Sequence, residues 1–224
     1  MDYGIIGNRR YIGLVKNVDI IGEMLKNKLD ELEDLGYDPA NGFIYGFSFG
    51  GRIAIMGGIL YGPRRIAQID VCDMAGPFFD KNPVLNSKAA AKNVQCIHTS
   101  SSKGTWARDC HQNWNMGFCG QQQLAADVDD NPQSHGMCNV FYNAAFENNF
   151  YAEAEPTQCP SAGFQVPYWP SKFKMGYQEK RKHLIQGQFY ASTWYQYPFT
   201  KTRKLRVNRN NLVKASLRFI NRRQ

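Results

Sequence analysis

The sequence has no long uninterrupted apolar run, and none approaches the roughly 20 residues that a helix needs to span a bilayer. No segment is therefore expected to cross a membrane as a helix. The start, Met1-Asp2-Tyr3-Gly4-Ile5-Ile6-Gly7, lacks the basic stretch and following apolar run of a secretory leader. The six cysteines (Cys72, Cys96, Cys110, Cys119, Cys138, Cys159) form no Cys-x-x-Cys pair, which argues against a zinc site. No internal repeat is visible. From Lys201 to Gln224 there is no acidic residue at all, while nine of the 27 Lys and Arg lie there. That absence explains the net charge of +8. Without the stretch, 18 basic residues face 19 acidic ones, so the body is near neutral. A basic tail on a neutral body argues against a nucleic-acid-binding protein.

What remains is an ordinary globular composition, 43% hydrophobic and 21% charged, in a chain of 224 residues. That length suits one domain with a real core. We divide it into a body over residues 1–199 and a basic tail over 200–224. In the body, Val18, Ile21, Leu25, Leu29, Leu32 and Leu35 recur at helical spacing, predicting an amphipathic helix over Asn17–Leu35 that Gly36 ends. Phe43–Gly46 reads as a short strand, Gly50–Tyr61 as a small-residue helix, and Arg65–Cys72 and Asn93–His98 as further strands. Val140–Phe150 is a candidate helix and Gln188–Thr193 a late strand. The order predicts an α/β fold with a mostly parallel sheet and crossover helices. Ser100–Gln133 is polar and rich in Gly, Asn and Gln, and reads as a functional surface loop.

Chemistry enters at Gly46-Phe47-Ser48-Phe49-Gly50. Gly-x-Ser-x-Gly between a strand and a helix fits a nucleophile elbow, a tight turn that exposes a serine above a sheet. Small neighbours let strand and helix approach. The start of the following helix places N–H groups near a developing oxyanion, and the Phe49 N–H is the expected donor. A serine needs a base, and the base needs an orienting carboxylate. Asp73 is the preferred acid because it ends the next strand; Asp70 competes but falls within that strand. Of the four histidines, His135 is the preferred base because it follows the long loop and precedes a helix. His98 ends a strand, His111 lies between two cysteines in the polar loop, and His183 lies in the basic run Lys180-Arg181-Lys182-His183, expected to be solvated.

These segments occur in the order Gly46-Phe47-Ser48-Phe49-Gly50, Asp73-Met74-Ala75-Gly76-Pro77, Ile97-His98-Thr99 and Ser134-His135-Gly136. In that order they resemble the pancreatic-lipase-like family, particularly its insect members and the related phospholipases A1. Lys174-Met175-Gly176, Gly187-Gln188-Phe189-Tyr190 and Pro198-Phe199 extend the likeness, which covers about residues 10–199. The resemblance implies an α/β-hydrolase fold and a lipid ester hydrolase without cofactor or metal. Its site would be Ser48, Asp73 and His135, with the histidine of Ile97-His98-Thr99 not the base. The sequence departs from the family at Phe47, where many members have His, at Met74 in place of Pro, and at Gln133 in place of Cys.

The family also carries an upstream His-Gly loop that supplies a second oxyanion N–H, and no such segment precedes the predicted helix here. The expectation is an α/β-hydrolase missing its N-terminal strands, an N-terminally truncated form of a protein that is extracellular at full length. Cys110 and Cys119 enclose eight residues and are expected to close a short lid of the phospholipase or esterase kind. Cys72 and Cys96, at the ends of neighbouring strands, are expected to pair, leaving Cys138 with Cys159. For the tail, a basic amphipathic contact with anionic lipid surfaces competes with a solvated extension, which is preferred. A non-catalytic lipid-binding or yolk-like storage protein on the same fold is the alternative function. Retention of all three candidate residues argues against it.

Overall fold

Ile69 and Val71 point to one side of their strand, and Asp70 and Cys72 to the other, as the two-residue period of a strand requires. The next strand repeats this with Val94 and Cys96 against Ile97. Both faces are therefore apolar and both must be covered. The computed structural model describes residues 11–81, 86–159 and 166–200. In chain order the elements are α1 (Tyr11–Val15), α2 (Val18–Asp34), β1 (Phe43–Phe47), α3 (Phe49–Tyr61), β2 (Gln68–Cys72), β3 (Asn93–His98), β4 (Gln112–Met116), α4 (Ser134–Ala144) and β5 (Gly187–Ala191). The five strands form one all-parallel sheet in the order β1-β2-β3-β4-β5. The basic tail and the expectations attached to it lie outside the described residues.

Helix α3 is apolar nearly all round, and it lies between the sheet and α2. Ile55, Ile69, Val71 and Val94 fill the core on that side, with Leu29 of α2 completing it. Leu32 and Leu35, expected in the apolar stripe of α2, are exposed. The last turn of α2 is held by Glu33 instead, which accepts from Tyr61 Oη at 2.8 Å and pairs with Arg65. The opposite face carries α4, whose Met137, Cys138 and Phe141 pack with Ile97 and Trp114. Trp114 stacks between Phe173 and Phe189 at ring-centroid distances of 5.6 and 5.1 Å.

Four expectations need correction. The polar segment Ser100–Gln133 is not only a surface loop, because it contains the fully buried strand β4. Its Asn113 and Asn115 are internally satisfied: Asn113 Nδ2 donates to Cys110 O at 3.0 Å, and Asn115 Nδ2 to Gln188 Oε1 at 3.0 Å. The late helix begins at Ser134 rather than Val140. Crossover helices join β1 to β2 and β4 to β5, but among the described residues none joins β2 to β3 or β3 to β4. The basic run, expected to be solvated, is so only in part: Lys182 is buried, donating to Gly176 O at 2.9 Å and standing 3.6 Å from Asp70.

The disulfides also differ from expectation. They are Cys72–Cys138, Cys96–Cys110 and Cys119–Cys159. Cys72 registers with Ile97 and Cys96 with Val71, so adjacent strands send the two thiols to opposite faces. Cys110 and Cys119 flank β4 and lie at its opposite ends, so they close no lid. Among the described residues no helix is long and apolar enough to cross a membrane.

Candidate active site

Strand β1 ends at Phe47 and α3 begins at Phe49, leaving Ser48 alone to make the turn. Its φ of 54° and ψ of −121° lie where a residue with a Cβ is strained. The neighbouring strand holds it there. Ser48 N donates to Cys72 O at 3.0 Å, and Ser48 O accepts from Gly51 N at 3.0 Å and Ala75 N at 3.1 Å. Close approach of strand and helix depends on Gly46 and Gly51. A Cβ on Gly46 would lie 2.6 Å from Gly50 O, and one on Gly51 would lie 2.5 Å from Val71 Cγ1. Gly50, the second glycine of the motif, faces open space. The small residue needed on the helix side is therefore one position later than the motif places it.

Asp73 occupies the same place at the end of β2, since Phe47 registers with Cys72. It too has a positive φ, 42°. Its carboxylate is fully buried and accepts four hydrogen bonds. Oδ1 accepts from Thr99 N at 2.8 Å and Ser100 N at 3.1 Å. Oδ2 accepts from Ser100 Oγ at 2.6 Å and from His135 Nδ1, also at 2.6 Å.

His135 is the second residue of α4. Its Nε2 stands 2.8 Å from Ser48 Oγ. A carboxylate at Nδ1 fixes the ring hydrogen there and leaves the Nε2 lone pair for the serine hydroxyl. The Phe47 ring lies against the imidazole, centroid to centroid 4.7 Å. All three preferred site residues are thus brought into one hydrogen-bonded chain, although Ser48 and His135 are 87 positions apart. Phe49 opens α3, so its N–H has no intrahelical acceptor and borders the serine.

The competing groups lie elsewhere. Asp70 is buried among Tyr142 Oη (2.7 Å), Gln68 Nε2 (2.8 Å) and Lys182. His98 is buried beside Asn113, and burial together with Arg108 holds its pKa well below the ordinary histidine value. His111, expected in a polar loop, is buried and its Nδ1 accepts from Val94 N at 3.0 Å. Burial, then Lys88 and Arg64, push its pKa down to about 4, so it is neutral at pH 7. His183 is exposed.

Two supporting residues escaped sequence reasoning. Arg52 is buried in α3, with Nε donating to Ala75 O at 2.8 Å and its guanidinium lying over Phe79. It thereby ties the segment after Asp73 to the helix after Ser48. Burial lowers its pKa, against the opposing charge of Asp80. Gln123 is also buried: its Nε2 donates to Thr99 O at 3.0 Å and Met116 O at 2.9 Å, and its backbone N donates to Ser134 Oγ at 3.0 Å. It joins the backbone that cradles Asp73 to the first turn of the helix that carries His135. Neither residue has a sequence signal, because each acts on backbone atoms far along the chain.

The Cys72–Cys138 disulfide makes the same connection covalently. Cys72 immediately precedes Asp73, and Cys138 lies one helical turn after His135. Its sequence separation of 66 exceeds the 14 of Cys96–Cys110. Chain-entropy estimates give roughly 4 kcal/mol for the first and about 3 kcal/mol for the second. Urea unfolding of Cys72→Ala/Cys138→Ala should show the larger loss of the two. A loss no greater than that of Cys96→Ala/Cys110→Ala would contradict this ranking.

Two cavities adjoin each other, and His135 lines the first of them. One, of about 370 Å³, is polar and lined by Ser101, Gln121, Gln133 and Ser134. The other, of about 400 Å³, is mainly apolar and lined by Leu124, Thr193 and Trp194. They share Phe118 and Gln122. Among the described residues no cluster of three or more His, Cys, Asp or Glu could hold a metal ion. No protein-family model and no curated protein matches this chain.

Proposed function

We propose that the chain is a serine hydrolase of the α/β-hydrolase type that cleaves carboxylic ester bonds of lipids, as a lipase or phospholipase A1 does. The observation that carries this reading is the chain of hydrogen bonds from Ser48 Oγ to His135 Nε2 and from His135 Nδ1 to Asp73 Oδ2. Ser48 Oγ attacks the ester carbonyl while His135 takes its proton. Asp73 remains ionised and stabilises the imidazolium. The Phe49 N–H meets the developing oxyanion. His135 then passes its proton to the leaving alkoxide, an acyl-enzyme forms at Ser48, and water activated by His135 releases the acid.

The lipid part of the reading is supported by the apolar cavity that adjoins the one lined by His135, where Phe118 and Leu124 are exposed. It also rests on the resemblance of the four ordered motifs. Three disulfides among the described residues favour an oxidising, extracellular setting.

A fluorophosphonate probe tests the reaction class. It should label the protein covalently, with the adduct mapped by mass spectrometry to the peptide containing Ser48. Ser48→Ala should take no label. Equal labelling of both proteins would reject Ser48 as the nucleophile, and no labelling of either would favour the binding-protein alternative.

A further inference from the structure

At the end of the sheet opposite Ser48, where β2 and β3 begin, a cavity of about 260 Å³ is lined by Lys92, Asn93, Lys180 and His183. Its floor holds the side chain of Asn93, which is 7% exposed and whose Nδ2 is buried without an acceptor. A buried N–H with nothing to donate to is costly, and native structures rarely leave one. At the rim, Lys92 and Lys180 are exposed and neither forms an ion pair with a described residue; the Lys180 ammonium lies 5.2 Å from the centre of the Tyr177 ring, which leaves its hydrogens available.

The carboxylate that borders this cavity is already engaged. Glu179 accepts from Arg181 Nη2 at 2.7 Å and from Lys174 N at 3.1 Å. Lys182 also lines the cavity, but its ammonium donates to Gly176 O and Tyr177 O and faces Asp70, so it supplies charge rather than a contact. The free donors therefore approach from the floor and from two sides of the rim. A group with three or more acceptor oxygens matches that arrangement better than a planar carboxylate with two.

We propose that this cavity is a binding site for a phosphate or sulfate group, held by the Asn93 amide from below and by Lys92 and Lys180 from the rim. The site is separate from Ser48 and independent of the hydrolase reading. The group has two possible sources, a free anion or the phosphomonoester head group of an anionic lipid.

The test uses the whole chain. Sodium phosphate or sulfate is titrated at ionic strength held constant with chloride, while heat of binding and thermal midpoint are followed. Saturable binding and a rising midpoint are expected. Lys92→Ser/Lys180→Ser should weaken binding at least tenfold. Both lysines are exposed, so the variant should keep the circular dichroism of the parent and its ester hydrolysis. Asn93→Asp, which puts a like charge on the floor, should weaken binding further. A midpoint rise that chloride reproduces, or binding unchanged in the double lysine variant, would overturn the proposal. Vesicles distinguish the sources. Sedimentation with phosphatidic acid but not phosphatidylcholine, competed by phosphate and lost in the lysine variant, identifies a lipid head group. Saturable phosphate binding without vesicle binding identifies a free anion.

Discussion

Replacing Ser48 by alanine should lower kcat on a short-chain p-nitrophenyl ester by about 10⁶-fold, and Ser48→Ala/His135→Ala should be no worse than Ser48→Ala alone. The reason is the single proton path between them. His135 Nε2 has one described partner, Ser48 Oγ at 2.8 Å, and without that hydroxyl the base has no proton to take. Alanine at 135 leaves the hydroxyl protonated and nearly as inert. Residual turnover in either variant, about 10³-fold over water, would come from binding and from the Phe49 N–H. A double variant much slower than each single variant would mean that the two side chains act separately, and the hydrogen-bonded chain would lose its mechanistic meaning.

Asp73→Asn is the second large effect, expected at about 10⁴-fold in kcat. All four partners of this carboxylate are donors: Thr99 N, Ser100 N, Ser100 Oγ and His135 Nδ1. An asparagine must keep its oxygen toward the two fixed backbone N–H groups and turn its NH₂ toward the other two. His135 then has to accept at Nδ1, which moves its hydrogen to Nε2 and points it at Ser48. The base becomes a donor to the group it should deprotonate. The Ser100 hydroxyl can rotate away from the NH₂, so geometry is kept while the tautomer is wrong. Kinetics on Asp73→Asn should show the loss in kcat with little change in KM. A loss in KM alone would assign Asp73 to binding.

How much of this could be read from the chain depends on where each residue's constraint comes from. That Ser48, Asp73 and His135 would meet was legible because the nucleophile, acid and base proposed here need particular residue types, and the ends of apolar strands such as β1 and β2 are visible in sequence. The helix α3 and strand β3 were legible for the same reason of pattern. Strand β4 was not, because Gln112, Asn113 and Asn115 read as loop residues, and the two asparagine amides find partners such as Cys110 and Gln188 only in the tertiary structure. The disulfides failed because nearness at strand ends was weighed without the side-chain alternation that sends Cys72 and Cys96 to opposite faces. Lys182 looked solvated beside Lys180 and His183, yet Asp70 and two backbone carbonyls draw it inward. Gln123 and Arg52 act on backbone oxygens, a role that any sequence position can conceal.

The left-handed backbone at Ser48 and Asp73 bears on how such a protein evolves. Each of these residues ends a parallel strand with a positive φ, 54° and 42°, where glycine rests without strain and a residue with a Cβ does not. Selection for thermal endurance alone would drift position 48 toward glycine, which adopts that backbone without strain. It would not do so at position 73, where glycine would leave the Thr99 and Ser100 donors buried without an acceptor. In a population of variants released from any demand for catalysis, position 48 should therefore be lost early and with a rise in thermal midpoint, while the aspartate at 73 should outlast it.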